Sequence, residues 1–223
     1  MDIIDFHAHV LPRADHGSSS TEVSMSQLKM AKSNGISKII ATPHFYPYRE
    51  DADRFLERRS ASFERLRAHL TEEHPKIKLG AEILICDNIE EMPSLDSLCI
   101  EGTKALLIEL PFNDFFDSFV TSVNLLVKSG YIVILAHAER YNPEDINRLV
   151  AVGARIQLNA EALCGLFIPK HIREWLKENR VVAIGSDIHG TDKKAYARYK
   201  KAVKRLGAYT SFINDFSNSL WNR

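Results

Sequence analysis

Residues 3–9 read Ile3-Ile4-Asp5-Phe6-His7-Ala8-His9, an aliphatic and aromatic run that ends in two histidines one residue apart. Successive side chains on an extended strand alternate sides, so His7 and His9 project together from its end. The same pattern recurs down the chain. Short runs at Lys38–Ala41, Ile77–Ala81, Ala105–Ile108, Ile132–Ala136, Arg155–Leu158 and Val181–Ile184 also read as strands, each closed by a polar or special residue. Between them, helical periodicity covers Thr21–Ser33, Ala52–Glu73, Phe115–Lys128, Pro143–Val150, Pro169–Asn179 and Lys193–Leu206. Gly35 and Gly130 stand where a glycine is expected just past a helix. This alternation predicts parallel βαβ units in one α/β domain over residues 1–223, as a closed barrel or an open doubly wound sheet. The turn after the first strand has no GxGxxG, so a dinucleotide-binding reading has no support. Residues Asp87–Thr103 are the least regular and suit a lid or short helices. The tail after Gly207 is weakly periodic, and Tyr209, Phe212, Phe216 and Trp221 are expected to dock it on the body.

The chemistry-bearing residues fall at the strand ends. His44 stands in ATPHF, Glu82 in GAEI, Glu109 in LLIEL, His137 in ILAHAER, and Asp187 and His189 in AIGSDIH. In parallel α/β folds the carboxyl ends of the strands share one face, and ligands bind there, so these residues converge. Taken singly, His44 or His137 is more often a satisfied core histidine, and Glu82 or Glu109 a buried ion-pair partner. Five histidines and three acids on one face are a different matter. Burying them uncompensated costs several kcal/mol per charge, roughly, and a bound cation is the simplest offset. Imidazole with carboxylate suits Zn, Mn or Fe, and the donors outnumber what one ion can use, so a multinuclear centre with a bridging carboxylate such as Glu82 is expected. His69, His74 and His171 fall in or beside helices and are expected at the surface.

Composition narrows the remaining choices. Lys+Arg and Asp+Glu both total 29, a balance that gives no support to a nucleic-acid footprint. Cys86, Cys99 and Cys164 lie far apart, without CxxC spacing, and read as partly buried hydrophobes in a reducing compartment. The opening MDIIDFHAHV carries acid and histidine where a signal peptide is basic and then apolar, and no run approaches a membrane span. The cytoplasm is the expected location, with no embedding in a membrane.

Together, DFHAHVLP, TPHF, GAEI, LIEL, HAERY, QLNAEALCGLF and SDIH resemble the PHP (polymerase and histidinol phosphatase) superfamily. More narrowly they are similar to its bacterial protein-tyrosine phosphatase branch, found with capsule and exopolysaccharide synthesis. The resemblance runs from the first strand to about His189. It implies a distorted (β/α)7 barrel with three divalent ions, usually manganese. Carried over residue by residue, it puts His7, His9, Glu82 and Asp187 on the first ion, and Glu82, Glu109 and His137 on the second. His44, His189 and a residue of the loop after HxH would take the third. That loop departs from the branch: Asp15-His16-Gly17 stands where Asp-Asp-Gly is usual, so His16 replaces the aspartate, with Asp15 in reserve. Ala138 replaces a common proline, and Arg13 and Ala14 alter the same early loop.

The resemblance also implies hydrolysis of a phosphate monoester, most closely phosphotyrosine on a protein such as a capsule tyrosine kinase. Arg140 matches an arginine expected on the phosphate, where its planar fork suits bidentate contact. Lys194 is the candidate for a second basic contact, with Lys193 beside it and Arg198 as a weaker option. His44 and His189 join Arg140 as candidate catalytic groups, and Phe45, Tyr46, Tyr48 and Tyr141 as candidates to line the mouth. No CxxxxxR loop is present, so turnover should be chelator-sensitive. The rivals are a small-molecule phosphatase of the histidinol-phosphate type and a metal-binding relative without turnover. A nuclease role fits the neutral charge poorly. The oligomeric state is left open.

Overall fold

A computed structural model describes residues 3–112 and 114–223. β1 (Ile3–Ala8) leads through a loop to α1 (Thr21–Ser33), β2 (Ile36–Ala41), β3 (His44–Phe45) and α2 (Ala52–Arg67). Then come β4 (Lys76–Leu79), β5 (Glu82–Leu84), the short α3 (Leu95–Leu98), β6 (Ala105–Glu109), α4 (Asp117–Lys128) and β7 (Ile132–Leu135). The chain closes with α5 (Pro143–Ala151), β8 (Arg155–Asn159), α6 (Lys170–Lys177), β9 (Val181–Gly185), α7 (Ala195–Leu206) and α8 (Tyr209–Trp221).

All strand pairs are parallel, in two sheets of order β1-β2-β4 and β3-β5-β6-β7-β8-β9. The two sheets meet where strands are interrupted. β2 and β3 are one line of chain broken at Thr42-Pro43, and β4 and β5 another broken at Gly80-Ala81. Proline cannot donate to a ladder, which accounts for the first break. Across both breaks the chains stay in touch, through Gly80 N–H to Ala41 O at 2.9 Å and Glu82 N–H to Pro43 O at 3.1 Å. At the far side no ladder joins β9 to β1 among the described residues. The residues just past β9 nevertheless bond to β1: Asp187 N–H to His7 O at 2.8 Å, with His9 N–H to Ile188 O at 3.3 Å. The α/β class and parallel connections match the sequence expectation; a closed seven-stranded ladder is not formed.

The second break is held from outside. Arg59, on the buried face of α2, donates to Gly80 O at 2.8 Å and to Ser97 O at 3.1 Å. Burial lowers its pKa to about 10. Arg59→Met should lower unfolding stability by about 2–4 kcal/mol, because two carbonyls lose a charged donor in a place water reaches poorly. Urea unfolding reads this, and a change below roughly 0.5 kcal/mol would mean that those carbonyls find other partners.

Two expected helices end differently. α2 stops at Arg67 and not at Glu73: the His69 and Leu70 N–H groups bond three residues back, to Leu66 O at 3.0 Å and Arg67 O at 3.1 Å, and Thr71 then turns to His74 Nδ1. The tail after Gly207 is a regular helix, α8, whose buried face is Ile213, Asn214, Ser217 and Leu220 while Phe212 stays exposed. Two polar residues on that face blur the apolar period. Ser217 is satisfied there by donating to Val182 O at 3.2 Å. The irregular Asp87–Thr103 stretch holds a 3-10 turn and α3.

Candidate active site

β1 places the first two side chains. Between Asp5 and Ala8 its register slips against β2, a bulge of the kind that re-aims side chains beside functional sites. His7 and His9 then converge, their Nε2 atoms 3.1 Å apart. Each presents Nε2 because its other nitrogen is occupied. His7 Nδ1 lies 3.1 Å from Gln157 Oε1, an oxygen that also accepts the His137 N–H at 2.8 Å. His9 Nδ1 lies 2.7 Å from Asp15 Oδ2. Both acceptors lack a proton to give, so both Nδ1 atoms donate, and in the neutral rings two Nε2 lone pairs face each other.

Those lone pairs also face a carboxylate. Glu82 Oε2 is 3.1 Å from His7 Nε2, 3.2 Å from His9 Nε2 and 3.0 Å from His44 Nδ1. Glu82 Oε1 is 2.8 Å from His137 Nε2. Asp187 Oδ1 lies 3.3 Å from His9 Nε2, and Glu109 Oε2 lies 3.6 Å from His44 Nδ1. Yet Glu82 Oε2, Glu109 Oε2, His44 Nδ1 and His189 Nε2 are buried without hydrogen-bonding geometry to any partner among the described residues. Two donors on an ion at about 2.1 Å, 90–110° apart, are themselves about 3.0–3.4 Å apart. Lone pairs crowded at that spacing repel one another unless a proton or a metal ion lies between them, and their separations are those of ligands sharing one ion, so the donor set fits a metal. Three groups bring their ligating atoms within 4.8 Å of one another: His7, His9 and Glu82; His44, Glu82 and Glu109; His9, His44 and His189.

The protonation balance reflects the same crowding. Burial would lower His44, but the Glu109 and Glu82 carboxylates outweigh it and lift it to about 9. His189 goes the other way, pushed down to about 4 by burial and then by the charge of His9. Burial would raise Asp15, but His9 and the N–H groups of Gly17 and His44 hold it well below the usual carboxylate range.

The backbone is bent to bring these groups in. His137 and Asp187, each just past a strand, adopt left-handed conformations with φ of 32° and 50°. For non-glycine residues this costs about 1–3 kcal/mol each, and such strain clusters at functional sites. Glycine is required where chains pass too closely for a Cβ. One added to Gly185 would sit 2.5 Å from His7 Cβ, and one on Gly17 would sit 2.2 Å from His9 Cβ.

The loop after β1 separates the two alternatives it offered. Asp15 turns inward to His9, while the exposed His16 ring stacks on His44 at 4.8 Å and on His189 at 4.7 Å. Arg140 reaches the rim, where its Nη2 donates to Asp187 Oδ2 at 2.6 Å. Lys194 is exposed and caps the start of α7 with no side-chain contact to the cluster among the described residues; Arg198 is held by Asp192. Among the aromatics, Tyr46 stacks on His44 at 5.2 Å, and Tyr141 donates to Leu110 O at 2.8 Å beside His137. Phe45 is different from expectation. It is buried and packs against Phe55 at 5.0 Å, because β3 alternates and turns it away from the side on which His44 lies.

Sequence reasoning gave no role to β8. Gln157 and Asn159, two apart at its end, form a chain: Gln157 Nε2 donates to Asn159 Oδ1 at 3.0 Å, and Asn159 Nδ2 to Asp187 Oδ2 at 2.9 Å. The signal was the spacing of two amides in QLN, the same i, i+2 pattern as HxH. Gln157→Leu should weaken divalent-ion affinity about 10- to 100-fold, since it frees the His7 ring and orphans the His137 N–H. Competition with a chelating dye reads this; unchanged affinity would mean that strand packing alone orients both histidines.

The comparisons agree with this geometry. The family profile described as capsular polysaccharide synthesis, CpsB/CapC, matches residues 3–209. Tyrosine-protein phosphatase YwqE of Bacillus subtilis is 31% identical over 202 residues, 84% of this chain and 77% of that protein. Putative tyrosine-protein phosphatase CapC of Staphylococcus aureus is 30% identical over 207 residues, covering 87% and 80%. A chain from the crystal structures of B. subtilis YwqE and Streptococcus pneumoniae CpsB, described as unique metal-dependent tyrosine phosphatases, superposes with a TM-score of 0.81. It is 25% identical and covers 99% of this chain and 95% of its own. The chain belongs to the CpsB/CapC family of capsular polysaccharide synthesis.

Proposed function

We propose that this protein is a metal-dependent phosphatase that removes phosphate from phosphotyrosine on a protein, such as a kinase of capsule or exopolysaccharide synthesis, in the cytoplasm. The observation that carries the metal centre is the facing pair of His7 and His9 Nε2 lone pairs, closed by Glu82 Oε2. The substrate class comes from relatives described as tyrosine-protein phosphatases. His7, His9, Glu82 and Asp187 would hold one ion, and Glu82, Glu109 and His137 a second. His44, His189 and His16 would hold a third, with Mn²⁺ the expected metal and Zn²⁺ or Fe the alternatives. His16 is the choice over Asp15 because His9 already uses the Asp15 carboxylate, while the His16 ring lies against both His44 and His189.

Divalent ions there would supply Lewis-acid polarisation of the phosphoryl group and lower the pKa of a coordinated water. The chain's own groups do the rest. Arg140, with one nitrogen on Asp187 and the rest of its fork toward solvent, is placed to take the phosphate. Tyr46 and Tyr48, with Arg49 over both rings, form an aromatic wall beside His44 for an aromatic substrate. Asp15 and Gln157 keep His9 and His7 in one tautomer through the reaction. The two sheets are read as arcs of one distorted (β/α)7 barrel. The two interrupted strands reduce the described strands to seven positions, and the Asp187–His7 bond spans the remaining seam.

The test is an assay of metal-analysed protein against a phosphotyrosine peptide and histidinol phosphate, with Mn²⁺ and then with chelator. Phosphotyrosine turnover that chelator abolishes is expected. A preference for histidinol phosphate would move the substrate and keep the site, and bound metal with no turnover on either would sink the phosphatase reading.

A further inference from the structure

We propose that the loop carrying Leu166 and Phe167, with the cationic side of α7 beside it, docks this protein on an anionic membrane surface. The proposal is independent of the phosphatase reading.

Leu166 and Phe167 are 85% and 82% exposed, more than any other large hydrophobic residue among those described. The loop that carries them is strapped in place. Arg205 donates to the carbonyls of Gly165 and Leu166, the latter at 2.9 Å, and Lys201 Nζ donates to Cys164 O at 3.0 Å. With its carbonyls drawn to α7, the loop holds its two apolar side chains outward. A free apolar pair costs solubility unless something covers it.

The surroundings say what covers it. Residues 193–205 hold seven lysines and arginines and no acid, in a chain whose net charge is zero. Lys200 and Lys204 form an exposed row one position back from the Lys201–Arg205 row that grips the loop, and neither makes an ion pair among the described residues. On the other side, Lys170 is also exposed at the start of α6, although Glu174 lies 3.6 Å from it. Protruding apolar side chains flanked by the cations of α7, with exposed Glu161 and Glu174 each beside a cation, match an anionic bilayer, where the apolar pair enters the acyl boundary and the unpaired cations sit at the headgroups. A second copy of this chain fits less well, since pairing the same face would bring two cationic rims together. An acidic protein segment would meet the charge, but side chains this exposed are knobs that enter a partner and do not form a groove that receives one. No helix among the described residues is long and apolar enough to cross a membrane, so the contact would be superficial.

The experiment is co-sedimentation of the full chain with phosphatidylcholine vesicles, with and without phosphatidylserine, at low and high salt. Two double variants accompany it: Leu166→Ser with Phe167→Ser, and Lys200→Glu with Lys204→Glu. Circular dichroism melting checks that both fold. Binding only to phosphatidylserine vesicles is expected, weakened by salt and reduced about tenfold or more by either variant. Absence of binding at low salt, or binding that both variants keep, overturns the proposal. Capture of a glutamate-rich peptide in place of vesicles would overturn it in favour of an acidic protein segment. Self-association lost in Leu166→Ser with Phe167→Ser would overturn it in favour of an interface between copies.

Discussion

Glu82→Ala is expected to remove turnover almost entirely, by about 10³-fold or more, and to lower the bound divalent-metal content. No other carboxylate among the described residues lies against so many of the cluster's histidines. Its Oε2 stands within 3.2 Å of nitrogens from His7, His9 and His44, and its Oε1 within 2.8 Å of His137. Burial would raise its pKa, but the charge of His7 and the contacts from His137 and His44 hold it well below the usual carboxylate range. Deleting it leaves four imidazoles around a cavity with one anion fewer, so cations of any kind bind less well there. Glu82→Gln separates charge from shape, because the amide keeps the volume and one acceptor. If charge is what matters, Gln behaves like Ala in metal analysis and in rate. Elemental analysis beside the kinetics is essential. Full metal with no turnover would make Glu82 a catalytic group and not a bridge, and turnover within tenfold of wild type would remove it from the centre altogether.

The groups that converge on Glu82 were legible in sequence because each lies within a residue or two of a strand end. HxH, TPHF, GAEI, LIEL and SDIH are local signals, and a parallel sheet gathers strand ends by topology alone. What orients them was not local. Gln157 acts on His7 across 150 residues, and Asp15 Oδ2 lies 2.7 Å from His9 Nδ1. No periodicity announces such pairings. The strand interruptions were hidden for a related reason. Ile77–Ala81 reads as one aliphatic run, while the fold stops pairing at Leu79 and resumes at Glu82, which transfers the chain from one sheet to the other. α8 escaped because Asn214 and Ser217 occupy its buried face, so its hydrogen bonding to β9, and not apolar spacing, tells where it packs.

Arg140→Ala is expected to lower kcat/KM for a phosphotyrosine peptide by about 10²-fold while leaving metal content unchanged. The two parts of that expectation rest on different contacts. Asp187 Oδ2 accepts from Arg140 at 2.6 Å and from Asn159 at 2.9 Å, so the carboxylate stays oriented when the arginine is removed. The metal donors should therefore be spared. What is lost is a guanidinium that is 40% exposed on its side chain and directed from the rim toward incoming anions. Arg140→Lys keeps the charge and gives up the planar fork, so it should recover only a small part of the rate. The division between kcat and KM is informative. A rise in KM alone would mean that Arg140 holds phosphate equally in ground and transition states, whereas a fall in kcat means that its second nitrogen engages charge as it develops. A loss of metal in Arg140→Ala would contradict this division of roles, because it would make the Arg140–Asp187 pair a brace for the centre and leave the phosphate without an assigned arginine.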